Sequence, residues 1–536
     1  MNFKEKLTKE ISKSLNREVT LRDTPSIEFG DYSLPCFNSN PEEFKNKIKS
    51  SLIEKIEIKG YYLNIFVKKS RFIEETLNEI NKDYGISDLG KSKTVVIDFS
   101  SPNIAKPFSV GHLRSTVIGN VLYNLYSRIG YKVVGVNHLG DWGTQFGKLI
   151  VAYKKWGNEK ELEKDPIKYL LSLYIKFHSE SETNESLNEE ARAEFRKLEQ
   201  DNNDSVRLWK KFKDLSLKEF EKIYQLLNIK FDSYNGEAFY KDMLEDTIDY
   251  VKKKVKTEYS DDALIINMKE YDMPPLILKK SNESTSYHTR DLAAALYRLK
   301  TYKPEKIIYV VGSEQKLHFK QLFKALELMG EDTKKFIHID FGLFRFPEGK
   351  MSTRKGNVIF LEDVLNESIK LAEKIMDDKN PNLKNKEKIA KSVGIGAIIF
   401  ADLSNDRTRN INFDWKRIVS FEGETGPYVQ YTYARISSIL KKSKLSQKID
   451  YSLFNESEFT LARKLSEFPE IIKESALRYK PNLICNYLIQ LCQLFNNYYS
   501  KCEIKSSKER LFLASKIGYV LSQGLTLLGI EAPESM

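Results

Sequence analysis

The sequence predicts an α/β protein built around a parallel sheet, with a small α+β module before it and an all-α domain after it. Three observations carry that reading. TVVIDFS, starting at Thr94, is a short β-branched apolar run of the kind buried in a parallel sheet; a loop, a helix-patterned segment and a second strand-like run follow it. Four further runs, ALIINM, PLILKK, KIIYVVGS and FIHIDFGLF, continue the α/β pattern with helical segments such as DLAAALYRLK, up to about residue 360. After Asp378 nearly every segment has helical spacing, including IAKSVGIGAIIFADL and PNLICNYLIQLCQLFNNYYSK.

A chain of 536 residues is too long for one compact core and suits three or four domains. Residues 1–88 form the first: Phe3, Leu7, Ile11 and Leu15 recur at helical spacing, and GYYLNIFV alternates like a strand. YGISDLGKSK reads as a linker into a central domain over 89–378. There SSPNIAKPFSVG is a loop, HLRSTVIGNVLYNLYSRIG an amphipathic helix ending at Gly130, and YKVVGVNHL the next strand. Residues 153–232, rich in Glu, Lys and Asn, read as a helical insertion. Residues 379–536 make the all-α domain.

Lys and Arg total 86 against 75 Asp and Glu, for a net charge of +11. That excess suits a polyanionic partner, and equally a coding preference for lysine. Cys36, Cys485, Cys492 and Cys502 form no CxxC pair, so they read as free thiols, with no structural zinc expected. The first residues lack the apolar centre of a signal peptide, and no apolar run has the length of a membrane span. A cytoplasmic address is expected.

Two loops stand out. In the first, Ser109, Gly111 and His112 lie where a strand gives way to a helix. Exposed N–H groups and the positive end of the helix dipole there suit phosphate. A histidine after glycine at a helix start also serves as a cap. In the second loop, Lys350, Met351, Ser352, Thr353, Arg354, Lys355 and Gly356 gather cations and hydroxyls suited to a triphosphate, or to a plain exposed basic loop. Phe344 stands where GxxxxGK needs its first glycine, and no GxGxxG follows the first strand, so neither a P-loop nor a dinucleotide fold fits.

Together the loops resemble the HIGH and KMSKS signatures of class I aminoacyl-tRNA synthetases. SSPNIAKPFSVGHLRST, NHLGDWGTQFGKL, YHTRDLAAALYR, VVGSEQKLHF, KMSTRKGNV and FEGETGPYVQYTYAR each resemble arginyl-tRNA synthetase segments, and the likeness runs from the GDY segment to the terminal APESM. The resemblance implies a Rossmann-like catalytic domain and ATP-dependent joining of arginine to tRNA(Arg), with ATP entering alongside Mg2+. It implies a monomer and no membrane partner. It places Ser109, Gly111, His112, His318, Lys350, Met351, Ser352, Arg354 and Lys355 around ATP, with His112, Lys106, Lys350 and Ser352 in the chemistry. Two positions depart from the signatures: Ser109 stands where the family usually has histidine, and Thr353 replaces the second lysine of KMSKS. Lys106 is close enough in sequence to make up the missing charge.

A guanidinium is planar, permanently charged and offers five donors, so its site needs carboxylates and amide oxygens in fixed geometry. The resemblance supplies Asp98, Asp291 and Gln315 as acceptors, Tyr287 one turn before Asp291, and Asn103 at the α-amino or carboxylate end. Asp291 also suits the cap of its helix. Unpaired carboxylates in such a site reject lysine or citrulline by about 10³-fold or more.

In the C-terminal domain Tyr428, Tyr431, Tyr433, Tyr498 and Tyr499 stand beside Arg435, Lys441, Lys442 and Lys501, the mixture that stacked anticodon bases require. A tyrosine stripe on a helix also serves as core. The resemblance selects Tyr428 and Tyr431, then Tyr499 and Met536, as tRNA contacts. It gives the N-terminal module the tRNA corner, with Tyr62 and Asn64 either contacts or ordinary strand residues. A cysteine or glutamine synthetase, and an inactive tRNA-binding relative, are the competing readings.

Overall fold

The computed structural model describes residues 2–536 apart from Asn38, Glu283, 346–358 and Gln447, and apart from the side chains of Ile27, Arg345 and Lys379. The first module is an antiparallel sheet in the order Arg22–Asp23, Tyr32–Pro35, Tyr62–Val67, Ile53–Lys59, packed with three helices. The opening helix Phe3–Leu15 buries Phe3, Leu7 and Ile11 as its spacing predicts, and Asn2 and Glu5 close its start as a capping box.

At the centre four parallel strands run in the order Phe336–Ile339, Lys306–Val310, Thr94–Asp98, Lys132–Val136. Their register sets Asp98 level with Tyr309 and Val136, and Tyr309 level with His338. In an open parallel sheet ligands bind beyond that carboxyl edge.

Two of the strands expected there lie elsewhere. Ala263–Ile266 pairs antiparallel with Leu276–Lys279 on one side and Glu258–Ser260 on the other, in a separate sheet. The short Lys269–Tyr271 turn between them leaves no chain for a parallel crossover. The helix Val110–Arg128 is not one-sided either. It is buried from Val110 to Tyr126 on most of its surface, because C-terminal helices such as Phe468–Leu477 cover the face expected to be wet. The expected linker is likewise packed: Tyr84 donates to Leu465 O at 2.8 Å and its ring stacks on Phe468.

The insertion consists of helices Glu159–Lys164, Pro166–Thr183, Ser186–Glu199 and Asn203–Leu226. Its last helix is structural support for the loops above the sheet. Ser216 Oγ accepts from the Ala105 N–H at 3.0 Å, Trp209 Nε1 donates to Asp141 O at 2.7 Å, and Tyr224 Oη meets Ser100 Oγ and Asn137 Nδ2, each at 2.9 Å. Among the described residues beyond 360 the regular elements are helices except for the strand Ile411–Asn412, which pairs in parallel with Phe344–Arg345. Cys36, Cys485 and Cys492 are buried free thiols, and Cys502 is half-buried. No helix among the described residues is long and apolar enough to cross a membrane.

Candidate functional site

Ser109 is the N-cap of the helix Val110–Arg128. Its backbone N–H donates to His112 Nδ1 at 3.1 Å, and its Oγ lies 3.2 Å from the same nitrogen. The cap and the phosphate readings of His112 are therefore compatible. An accepting Nδ1 leaves the ring proton on Nε2, so a neutral His112 keeps one ring N–H as a donor. Burial, aided by the charge of Lys106, pushes its pKa down to about 4 despite the contact with Ser109. His112 thus offers a hydrogen bond and no charge, and positive charge must come from lysine and arginine. Lys106 lies with Nζ 5.5 Å from the Tyr174 ring centroid, on the insertion.

Lys350, Met351, Ser352, Thr353, Arg354 and Lys355 lie outside the described residues. The segment that follows them lies against the first loop. Ser109 bridges Phe360, the Val110 N–H donates to Ile359 O at 3.2 Å, and the Leu361 N–H donates to Phe108 O at 2.9 Å. The chain that follows the basic loop therefore runs beside the first loop.

Asp291 is no cap: Ser286 caps the helix Tyr287–Tyr302, accepting from the His288 N–H at 3.1 Å. Asp291 sits one turn inside, its side chain 27% exposed, with Oδ2 2.8 Å from His318 Nε2 and Oδ1 3.7 Å from His138 Nε2. Burial raises its pKa, but His318, His138 and Arg290 outweigh that and hold the carboxyl below its usual range. Tyr287, half-exposed on the same helix face, lies 5.0 Å from the His318 ring. His318, expected at ATP, thus joins the acidic pocket, because the first turn of Lys316–Leu328 aims it at Asp291. Gln315 is exposed three residues before it. Asn103 bridges Gly140, where a Cβ would come within 2.2 Å of Asn103 Oδ1.

Asp98 requires a correction. Its Oδ2 pairs with Arg298 Nη2 at 2.8 Å, with the side chains 6% and 1% exposed, and its Oδ1 accepts from Ser101 Oγ at 2.8 Å. The guanidinium that Asp98 meets is the chain's own. Two residues missed from the sequence belong to the pocket instead. Glu237 lies 2.8 Å from Arg290 Nε, and its pKa is raised first by burial, with Asp291 adding to the rise and Arg290 and His138 opposing it. His138 stands between Glu237 and Asp291 with Nδ1 3.2 Å from Asn235 O. No periodicity marks NGEAFY or NHLG.

On the helical domain, Arg435 lies with its guanidinium 5.0 Å from the Tyr431 ring centroid and 5.1 Å from that of Tyr499. Its Nη1 donates to Asn496 Oδ1 at 2.6 Å, and Asn496 Nδ2 donates to Tyr428 Oη at 3.0 Å. Tyr431 and Tyr499 are 37% and 38% exposed. Met536 and Phe421 both pack against the cluster of Ala372, Met376, Ile389, Ala390 and Val393, and Phe421 stands edge-on to Tyr431 at 6.2 Å. Tyr498 is instead core, donating to Glu458 at 2.5 Å. In the first module Asn64 is 5% exposed in the middle of the sheet, which removes it from the surface where a tRNA contact was expected. Tyr62 is half-buried against Phe37, whereas Tyr61 is open.

The chain matches the family described as class I (R) tRNA synthetases, catalytic domain, over residues 73–415, and the DALR anticodon binding domain over 429–536. It is 47% identical to the arginine–tRNA ligase of Halothermothrix orenii and 48% identical to that of Clostridium kluyveri, with both members of each pair covered completely. Among solved structures it is similar to Thermus thermophilus arginyl-tRNA synthetase, with a TM-score of 0.84 at 24% identity and full coverage of both chains. The arginyl-tRNA synthetase of Plasmodium falciparum gives 0.81 at 24%, covering 99% of each. At those identities the structural likeness is one of fold.

Proposed function

The chain belongs to the class I arginyl-tRNA synthetases, and from that premise we propose how its residues activate arginine with ATP and pass it to tRNA(Arg). An arginine carboxylate oxygen attacks the ATP α-phosphorus in line. The bond to the bridging oxygen breaks and pyrophosphate leaves with the Mg2+ that entered on ATP. The terminal ribose hydroxyl of the tRNA then attacks the adenylate carbonyl and AMP departs.

Catalysis of this kind is positioning plus stabilisation of spread negative charge. His112 serves through Nε2–H, Ser109 and Gly111 through the helix start, and Lys106 with Lys350, Ser352, Met351, Arg354 and Lys355 through charge and hydroxyl donors. Asp291, held by His318, and Glu237, held by Arg290, give the acidic end of the arginine site. Tyr287 offers a ring face, Gln315 an amide oxygen and Asn103 a contact for the amino-acid end. Asp98 acts at one remove, fixed by Arg298 beneath the pocket. Tyr428, Tyr431, Tyr499, Arg435 and Met536 receive anticodon bases, and Tyr62 remains with the tRNA corner. Residues 1–88, 89–378 and 379–536 divide these tasks in a cytoplasmic monomer.

The observation that carries the arginine assignment is Asp291, ionised and partly open one turn below exposed Tyr287. Arginine-dependent ATP–pyrophosphate exchange tests it, run with and without tRNA(Arg). Exchange with arginine and none with lysine or citrulline is expected when tRNA is present. Equal exchange with lysine overturns the assignment.

A further inference from the structure

Arg114 lies two residues past His112 in the helix Val110–Arg128 and is almost completely buried. Its Nε donates to Asp402 Oδ1 at 2.8 Å, the two side chains being 2% and 0% exposed. Its Nη1 donates to Gly342 O at 2.7 Å and to Arg409 O at 2.9 Å. One guanidinium therefore ties the helix that begins the phosphate site to two other stretches of chain. One is 340–345, which leads into the basic loop; the other is 402–412, which leaves the C-terminal helix Lys386–Leu403. Those two stretches are themselves laced together. The Gly342 N–H donates to Arg407 O at 2.9 Å, the Leu343 N–H to Asn410 Oδ1 at 2.8 Å, and the Ile411 N–H to Leu343 O at 3.0 Å.

The other end of this path is the helical face. Asp402 ends the helix Lys386–Leu403, which crosses the helix Gly426–Lys441 that carries Tyr431 and Arg435. The crossing is tight: a Cβ on Gly426 would lie 2.8 Å from Phe400 Cβ and 2.9 Å from Gly396 O. Gln430 Nε2 also donates across it to Ser392 O at 3.3 Å. Two rigid helices in backbone contact thus run from the tyrosine–arginine surface to Asp402, and one buried ion pair runs from Asp402 to the turn bearing His112. Coupling between distant sites travels through contiguous packed elements of this kind.

We propose that Arg114 and Asp402 are positioning residues that transmit tRNA occupancy of the helical face to the ATP site. The proposal rests on the reading of Ser109–His112 as that ATP site and of the Tyr431–Arg435 surface as a tRNA contact. A buried charge left without its partner is costly, so stability alone does not separate coupling from support. The coupling itself does: if two ligands are linked, each changes the affinity of the other by the same factor.

The test measures binding of a non-hydrolysable ATP analogue to the full chain with and without tRNA(Arg), for the unmutated protein, Asp402→Asn and the charge-retaining Asp402→Glu. The unmutated chain should bind the analogue at least fivefold tighter with tRNA. Asp402→Asn should lose most of that factor while tRNA affinity changes less than threefold, and Asp402→Glu should recover part of it. In charging assays the same loss should show in KM for ATP before kcat. An unmutated chain whose analogue affinity ignores tRNA, or an Asp402→Asn variant that keeps the full factor, overturns the proposal. Should Asp402→Asn fail to fold, amide exchange of the unmutated chain decides: residues 340–345 and 402–412 should gain protection together on tRNA binding, and unchanged exchange there contradicts coupling. Failure of the functional reading looks different, because that chain would not charge tRNA(Arg) at all.

Discussion

Asp291 and His318 are joined at 2.8 Å across two helices, Oδ2 to Nε2, and that contact fixes a partly open carboxylate in the line of residues from Tyr287 to His138. The pair explains why Asp291 stays ionised although it is largely enclosed. Replacing it with asparagine keeps the shape and removes the charge. Asp291→Asn should raise KM for arginine by about 10²–10³-fold, the usual loss when a charge-assisted contact to a guanidinium is removed. KM for ATP and for tRNA should stay within about threefold, and steady-state charging kinetics check all three.

His112 makes a prediction about pH. Its folded pKa of about 4 lies below the usual value of 6.5 for histidine, so between those values the unfolded chain binds more protons. The stability it contributes is complete above about pH 6.5 and is lost as pH falls toward 4. His288, also pushed down to about 4 chiefly by burial, acts with the same sign. Denaturant midpoints should therefore drop between pH 7 and pH 5. The gap between the unmutated chain and His112→Gln should shrink by roughly 1–2 kcal/mol over that range. A gap that widens on acidification means that His112 is charged in the folded state.

Arg435 lies between the rings of Tyr431 and Tyr499, the surface proposed to receive unstacked bases. Base–aromatic stacking is worth about 1–3 kcal/mol per base, so Tyr431→Ala should raise KM for tRNA by roughly tenfold or more and leave ATP and arginine unaffected. Tyr498→Phe, which loses only the contact to Glu458, should cost about 1 kcal/mol of stability and leave KM for tRNA alone. Filter binding of tRNA(Arg) together with thermal unfolding separates the two.

Gly140 has a role independent of its flexibility. A Cβ there meets Asn103 Oδ1 at 2.2 Å and must displace that side chain. Gly140→Ala should lower kcat/KM for arginine by about tenfold or more through a misplaced Asn103, since small misplacements in a reacting geometry are expensive. Asn103→Ala should lower it to a similar level, and the double variant should add little further.

Much of this architecture is written locally in the chain. TVVID, KVVGV, KIIYV and FIHI are legible as buried strands because both faces are apolar. ALII and LILK have the same composition, yet they pair antiparallel elsewhere: an apolar run specifies burial and leaves the partner to loop length. The turn at the start of the helix Val110–Arg128 is legible because Ser109, Gly111 and His112 lie within four residues of one another. The acidic pocket was only half legible. Asp291 and Tyr287 share a helix face, whereas Glu237 and His138 reach the site from distant segments that no period marks. Arg298, in LYRLK, has the look of a solvent-facing helix residue; only the fold brings it under Asp98. Asn64 alternates as an outward residue should, but its strand is covered on both faces.

We assign selection of arginine for transfer to tRNA to the carboxylates around Asp291 on this class I fold. Charging of tRNA(Arg) by the full chain with ATP and Mg2+, comparing labelled arginine with labelled lysine, tests it most directly. Arginine should be esterified to tRNA(Arg) at least about 10³-fold more efficiently than lysine, by kcat/KM, and Asp291→Asn should erase most of that preference. Comparable charging with lysine, or arginine selectivity untouched by Asp291→Asn, would mean that Asp291 does not select the amino acid.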